Sequence, residues 1–360
     1  MSAQPESMAL REAGRDDIPA EELYGDPHWL VYCLDPELRR AYFLRLTREM
    51  YHRSCFLDPR MANENPTLHS IAMTELEALH AAAPRKPARR FIFHTAFCCS
   101  SLLARSLDFP GRTLAIREPT ILVQIANAAR RPGNAQSRWV TNALPLTLGL
   151  LNKPFGTEKV FIKPTNVATN CLGAMLDGDP HAHGLVLWGG REDFLISALK
   201  RPRQSNVQMP IILERLLADP MGRNWQGQGH PEPHTLAEQA ALAWHLEMLQ
   251  INHWLKSPHA KRLRVLATDE LLARPVESIA ATARHLDIAV ETEKIRAMVN
   301  GPVWHRHAKT TENYSPEKRA EEKRLARRLF GHEIAAGLRY AQTLRPVLEE
   351  IPSELALLAA

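Results

Sequence analysis

The chain has 360 residues, with 45 Lys and Arg against 40 Asp and Glu, a formal charge of +5 and 45% hydrophobic residues. That is enough apolar material for a sizeable core, in one large domain or one domain with an added piece. No run approaches the roughly 20 apolar residues of a membrane span, and five cysteines (Cys33, Cys55, Cys98, Cys99, Cys171) at irregular spacing speak for reduced thiols, not a disulfide framework.

The stretch Met1 to Asp26 is polar and has no apolar h-region, so no signal peptide and a cytoplasmic location are expected. Residues 1–25 read as a loose lead and 26–86 as a helical extension. Within the extension Pro36 to His52 has helical spacing, and Thr67 to Ala82 repeats it after an Asn-Pro break. The prolines at 84 and 87 mark a boundary before residues 87–318. There, short apolar runs alternate with helical patterns: Phe91–Phe93, Thr113–Ile116, Lys159–Ile162, Gly184–Trp188 and Leu263–Ala267. This alternation predicts an α/β domain with a largely parallel sheet flanked by helices. The longest helical patterns are Thr235 to Leu255 and Pro316 to Leu344, and residues 319–360 are expected to pack on the core as a C-terminal helix. A Gly-, Pro-, Asn- and Gln-rich stretch from Asp219 to His234 is long enough for a lid.

In a parallel sheet, ligands bind outside the carboxyl ends of the strands. Each run here is followed by residues with chemistry: His94 and then Ser100-Ser101 after the first, Arg117-Glu118 after the second, Lys163 after the third. Gly189-Gly190-Arg191 follows the fourth, and Thr268-Asp269-Glu270 the fifth. Hydroxyls, cations and a carboxylate on one sheet edge describe a site for a polyanion with an acid or base beside it. Ser100 and Ser101 precede the apolar spacing Leu102, Leu103, Leu107, a helix-start signal whose bare amides favour an anion. The modest positive charge suits an anionic small ligand; nucleic acid is not an expected partner, because the Lys and Arg clusters mostly sit near acids.

In order and spacing these motifs resemble the sulfotransferases that use 3′-phosphoadenosine 5′-phosphosulfate (PAPS). Ala96-Phe97-Cys98-Cys99-Ser100-Ser101-Leu102 occupies the place of the family's Pro-Arg/Lys-Ser-Gly-Thr-Thr-Leu loop, matching the double hydroxyl and the leucine but not the proline, the cation or the glycine. Ile116-Arg117-Glu118-Pro119 is similar to a strand end where some branches carry their catalytic base, and Ile162-Lys163-Pro164 to a lysine-bearing strand end that contacts the donor. Leu187-Trp188-Gly189-Gly190-Arg191, followed by Ser197, is similar to the 3′-phosphate motif without its proline. Val265 to Pro275 resembles the family's Glu-Asp-Leu segment, and His307-Ala308-Lys309 falls where a basic loop closes over the nucleotide.

The resemblance covers residues 88 to 318. It implies a P-loop-type fold and transfer of a sulfuryl group from PAPS, without a metal, to a small-molecule hydroxyl or amine acceptor. It implies Glu118, Lys163 and His94 as catalytic candidates, and Cys98, Cys99, Ser100, Ser101, Leu102, Arg191, Ser197 and Lys309 as donor-binding candidates.

Two other readings compete. The loss of the loop cation at Phe97 fits a degenerate, non-catalytic nucleotide-binding relative. Cys99 and Arg105 have the Cys-x5-Arg spacing of cysteine-dependent phosphatases. A nucleotide kinase is excluded by the absence of Gly-x4-Gly-Lys-Ser/Thr, and the pairs His181-x-His183 and His305-x-His307 lack further ligands at metal spacing.

Overall fold

The computed structural model of the chain describes residues 18–64, 68–83, 88–131, 133–305 and 316–344. The five runs singled out above are all strands: β4 (Arg90–His94), β5 (Thr113–Arg117), β6 (Lys159–Lys163), β7 (His183–Trp188) and β8 (Leu263–Ala267). They form one parallel sheet in the order β5-β6-β4-β7-β8. The strands are short and apolar because both faces are covered. Phe91, Phe93, Ile116, Ile162 and Val186 enter one core cluster, while the alternate residues Ile92, Ala115, Phe161, Leu185 and Leu187 enter the other. The chain passes from β4 over to β5, returns through β6, and then crosses to the other side of β4 as β7. The reversal lies beside β4, the place where a doubly wound sheet opens a crevice at its carboxyl edge.

The segment 26–86 corrects the expectation of a helical extension. It contains a three-stranded antiparallel sheet, β1 (Trp29–Asp35), β2 (Arg40–Arg45) and β3 (Leu68–Ala72), with short helices at Arg48–Arg53 and Met73–Ala82. The helical spacing of Pro36 to His52 is broken by a turn in which the Asp35 carboxylate accepts the amides of Glu37 and Leu38, each at 2.9 Å. Arg39 closes it with a left-handed φ of 51°. Trp29, Leu30, Phe43 and Leu44 of this small sheet join the same core as Phe91 and Phe93.

Two long helices frame the functional edge. Leu236–Leu255 begins with a capping box, in which Thr235 and Glu238 each accept the other's backbone amide. Its burial is nearly all-round, with Ala240, Leu242, Trp244, Leu246 and Met248 all in the core. The last described helix, Pro316–Thr343, packs on it and on the helix Arg191–Leu199. Gly337 permits the approach: a Cβ there would stand 2.6 Å from Leu195 Cδ2 and 2.9 Å from the Ala237 carbonyl oxygen. No helix among the described residues is long and apolar enough to cross a membrane.

Candidate functional site

The loop that leaves β4 runs from Thr95 to Cys99 and enters the helix Ser100–Ser106. It has no glycine, yet Phe97 and Cys99 both take left-handed φ, 58° and 62°. Left-handed backbone at non-glycine residues costs about 1–3 kcal/mol each and persists only where the surroundings impose it. They do so here. The Phe97 ring stands edge-on to Phe194 at 5.0 Å, and the Cys98 thiol donates to Thr95 O at 2.9 Å. Thr268 Oγ1 lies 2.8 Å from Cys98 O and 3.0 Å from Trp188 O, sharing its proton between the loop and the end of β7. Gly189 donates to Thr95 Oγ1 at 3.2 Å. Among the described residues the amides of Phe97, Cys98, Cys99, Ser101 and Leu102 donate to no protein acceptor. Curled backbone with several undonated N–H groups is an anion-binding concavity. Cys99 is the N-cap, so Ser100 and Ser101 occupy the first turn and are not the cap that the sequence pattern suggests.

Glu118, Lys163 and His94 meet beside this loop. β5 and β6 are in register with Arg117 opposite Lys163, so the residue after Arg117 reaches across to the lysine. Glu118 has φ 50°, its amide donates to Lys163 O at 2.7 Å, and its carboxylate Oε1 accepts from Lys163 Nζ. The lysine side chain is wholly buried and the glutamate side chain 16% exposed. His94 Nε2 lies 3.9 Å from the same Oε1 and 3.0 Å from Pro164 O, while Nδ1 lies 2.8 Å from Thr95 O. Burial, with Lys163 beside it, drives the imidazole pKa down to about 3, so the ring is neutral near pH 7.

Two residues of one helix, which the sequence alone did not bring to the site, hold it together. Glu247, in the middle of the long helix Leu236–Leu255, accepts from the Ala96 amide at 2.9 Å and from Asn166 Nδ2 at 2.5 Å, bridging the β4 and β6 loops. Burial raises its pKa to about 7. Trp244, one turn earlier, donates its indole N–H to Gly189 O at 2.8 Å and carries the Arg191 guanidinium over its ring at 4.6 Å. Arg191 opens the helix Arg191–Leu199. No carboxylate pairs with it among the described residues, its Nε is buried without a hydrogen-bond partner, and burial lowers its pKa.

Asp193 on the same helix binds Arg319 at 3.0 Å and Lys323 at 2.6 Å, both from the last described helix. Arg319 also lies 3.5 Å from the Cys99 sulfur, so the Cys99 side chain is turned toward that helix.

The other candidates fall differently. Ser197 sits six residues beyond Arg191, about 9 Å along the helix axis and on another face; it is not brought beside the guanidinium. Lys309 lies outside the described residues, as does His307. The phosphatase reading is corrected. Burial raises the Cys99 thiol and pushes Cys98 to about 12, so neither is the activated thiolate that chemistry needs. Arg105 is in the last turn of the helix, where its charge acts on Arg117 and not on Cys99. The stretch Asp219–His234 is not an open loop. It contains the helix Pro220–Gln226 and starts at Asp219, which accepts from Arg130 and Gln250. Among the described residues no group of three or more His, Cys, Asp or Glu side chains is arranged to hold a metal ion.

No model of a known protein family matches the sequence, and no curated protein matches it. Among solved structures the chain is similar to a sulfotransferase from Alicyclobacillus acidocaldarius (14% identity, 72% of this chain and 95% of that one, TM-score 0.41). It is also similar to a sulfotransferase domain from the curacin biosynthetic pathway (13% identity, 69% of this chain and 99% of that one, TM-score 0.37).

Proposed function

We propose that this protein transfers a sulfuryl group from PAPS to a hydroxyl or amine of a small-molecule acceptor. The observation that carries the reading is the meeting of Glu118 and Lys163 beside a curled, hydroxyl-bearing loop whose amides have no protein acceptor. The residues fit the donor at both of its ends. The amides of Cys98 to Leu102, excepting that of Ser100, and the hydroxyls of Ser100 and Ser101 suit the 5′-phosphosulfate. Arg191, stacked on Trp244 and without a carboxylate, suits the 3′-phosphate.

Sulfuryl transfer is an in-line displacement: the bond from sulfur to the nucleotide's bridging oxygen breaks as a bond from the acceptor oxygen or nitrogen forms. Catalysis is then mainly positioning and electrostatics. Lys163 neutralises the charge left on the departing phosphate. The acceptor's proton goes to Glu118, whose carboxylate is held in place by Lys163. His94, neutral and flanked by two backbone carbonyls, donates to one of them and is a positioning residue for this pair.

One observation favours a second reading, nucleotide binding without turnover. Phe97 stands where the loop cation is expected, and Lys163 is committed to Glu118. Two measurements separate the readings. The product nucleotide, adenosine 3′,5′-bisphosphate (PAP), should raise the melting temperature more than ATP with magnesium; a shift with ATP–magnesium and none with PAP rejects both readings. Release of PAP from PAPS in the presence of phenol, alcohol and amine acceptors then supports transfer, whereas PAP binding with no release above the enzyme-free blank supports the non-catalytic reading.

A further inference from the structure

A further group of polar side chains lies within electrostatic reach of Arg191, and the reaction just described does not use it. His245 follows Trp244 on the long helix and is 2% exposed, with Nε2 buried and without a hydrogen-bond partner. The segment after the helix Pro220–Gln226 supplies His230, stacked on Trp225 at 4.7 Å and 10° between planes. His230 Nε2 and Trp225 Nε1 are also buried and without partners, as is Arg191 Nε. Leaving a buried polar atom unpaired costs about 1–3 kcal/mol, so four on one patch mark a place built for something the chain does not itself provide.

The sign of the missing partner follows from the chemistry. Arginine and indole nitrogens only donate, and a histidine ring donates from at least one nitrogen. Burial lowers the His245 pKa to about 4, and the neighbouring Arg191 and His230 oppose its protonation further. The nearby acids are engaged elsewhere: Glu232 and Glu238 act on Tyr340, whose hydroxyl donates to Pro231 O at 2.6 Å, Asp219 accepts from Arg130 and Gln250, and Glu247 accepts from Ala96 and Asn166. Among the described residues no acid is among the groups that act on His245, so the patch presents donors.

We infer that Arg191, His245 and His230, with the Trp225 indole, form an oxyanion subsite for a phosphate, sulfate or carboxylate group, closed on one side by the 219–234 segment. The anion accepts from the arginine and from the histidine Nε2 atoms. Two ligands carry such a group: the second phosphate of the donor nucleotide, in which case the histidines take the part Ser197 is too far along its helix to play, or an acidic acceptor. The nucleotide source rests on the proposed function; the subsite itself does not.

The test uses the full chain and inorganic phosphate or sulfate, titrated against chloride at constant ionic strength. Thermal shift and the His245 ring resonances are followed together. Saturable stabilisation is expected, with His245 moving and its pKa rising as the anion fills the patch. H245F and R191A should each weaken phosphate at least tenfold, and H230A measurably, while S197A leaves it unchanged. PAP and adenosine 5′-phosphate are then compared. If H245F removes the preference for PAP, the anion is the nucleotide's second phosphate; if it removes phosphate binding and spares that preference, the anion belongs to the acceptor. Phosphate that binds while PAP does not would overturn the proposed function and leave the subsite standing. A phosphate response no larger than chloride's, or one equal in wild type, H245F and R191A with an unmoved His245 resonance, overturns the subsite.

Discussion

Glu247 accepts the amide of Ala96 at 2.9 Å, so a carboxylate from the middle of a helix fixes the start of the loop that leaves β4. Its other oxygen holds Asn166 after β6. One buried side chain therefore sets the distance between the Thr95–Cys99 loop and the strand that brings Lys163.

This arrangement has a pH signature. Glu247 ionises near pH 7 in the folded protein, against 4.5 for an ordinary glutamate. The folded state then binds more protons than the unfolded state between those values, and stability falls as pH rises through that window. The loss is on the order of 3 kcal/mol. Glu247→Gln should remove this part of the decline. Melting temperatures of wild type and variant, compared from pH 4.5 to 8, should converge at the acid end, where the glutamate is protonated and resembles the glutamine, and diverge at the alkaline end; parallel curves would contradict the assignment.

Glu118→Gln should retain PAP binding and slow transfer by about 10²–10⁴, the usual contribution of a general base. The same change leaves the wholly buried Lys163 without its anion, at a cost of about 3–5 kcal/mol. Lys163→Met combined with Glu118→Leu should recover most of that stability and none of the activity. Chemical denaturation alongside PAPS turnover separates the two effects. If the double variant is no more stable than Glu118→Gln, the pair is not the buried unit described.

Cys99 tests the loop and the thiol chemistry together. Its φ of 62° suits glycine, so Cys99→Gly should fall within about 1 kcal/mol of wild type, whereas Cys99→Val, β-branched in a left-handed position, should cost about 2 kcal/mol or more. Cys99→Ser should keep transfer activity; loss of turnover in a folded, PAP-binding Cys99→Ser protein would return the thiol to consideration.

Asp193→Asn should loosen the start of the last described helix, because Arg319 and Lys323 both end on that carboxylate. Limited proteolysis is expected to cut near residue 320 faster in the variant. High salt should produce less of this effect in wild type, since the Asp193 side chain is only 14% exposed and poorly screened. Equal cleavage rates would mean that packing at Gly337 alone holds the helix.

The five parallel strands and Glu118, Lys163 and Arg191 at their ends were legible because a doubly covered strand must be a short apolar run and its chemistry must follow it. The hairpin of β1 and β2 was not. Pro36 to His52 happens to carry helical spacing, and only the Asp35 turn reveals that Trp29 to Asp35 folds back on Arg40 to Arg45. Glu247, Trp244 and His245 escaped for another reason. On an apolar helix they are indistinguishable from core neighbours until the topology shows which helix crosses the sheet edge. The capping box at Thr235 fixed where that helix starts but not what it lies against.

Phe97 and Cys99 carry a conformation their own side chains resist, imposed by Phe194, Thr268 and the end of β7. A peptide of residues 88–107 would therefore relax to extended backbone at both positions and lose the concavity. The anion affinity proposed for this loop would then be a cooperative property: it should vanish in the same transition that melts the sheet, and grafting the seven residues 96–102 onto another parallel sheet would not transfer it unless an aromatic ring and a bridging hydroxyl travel with them.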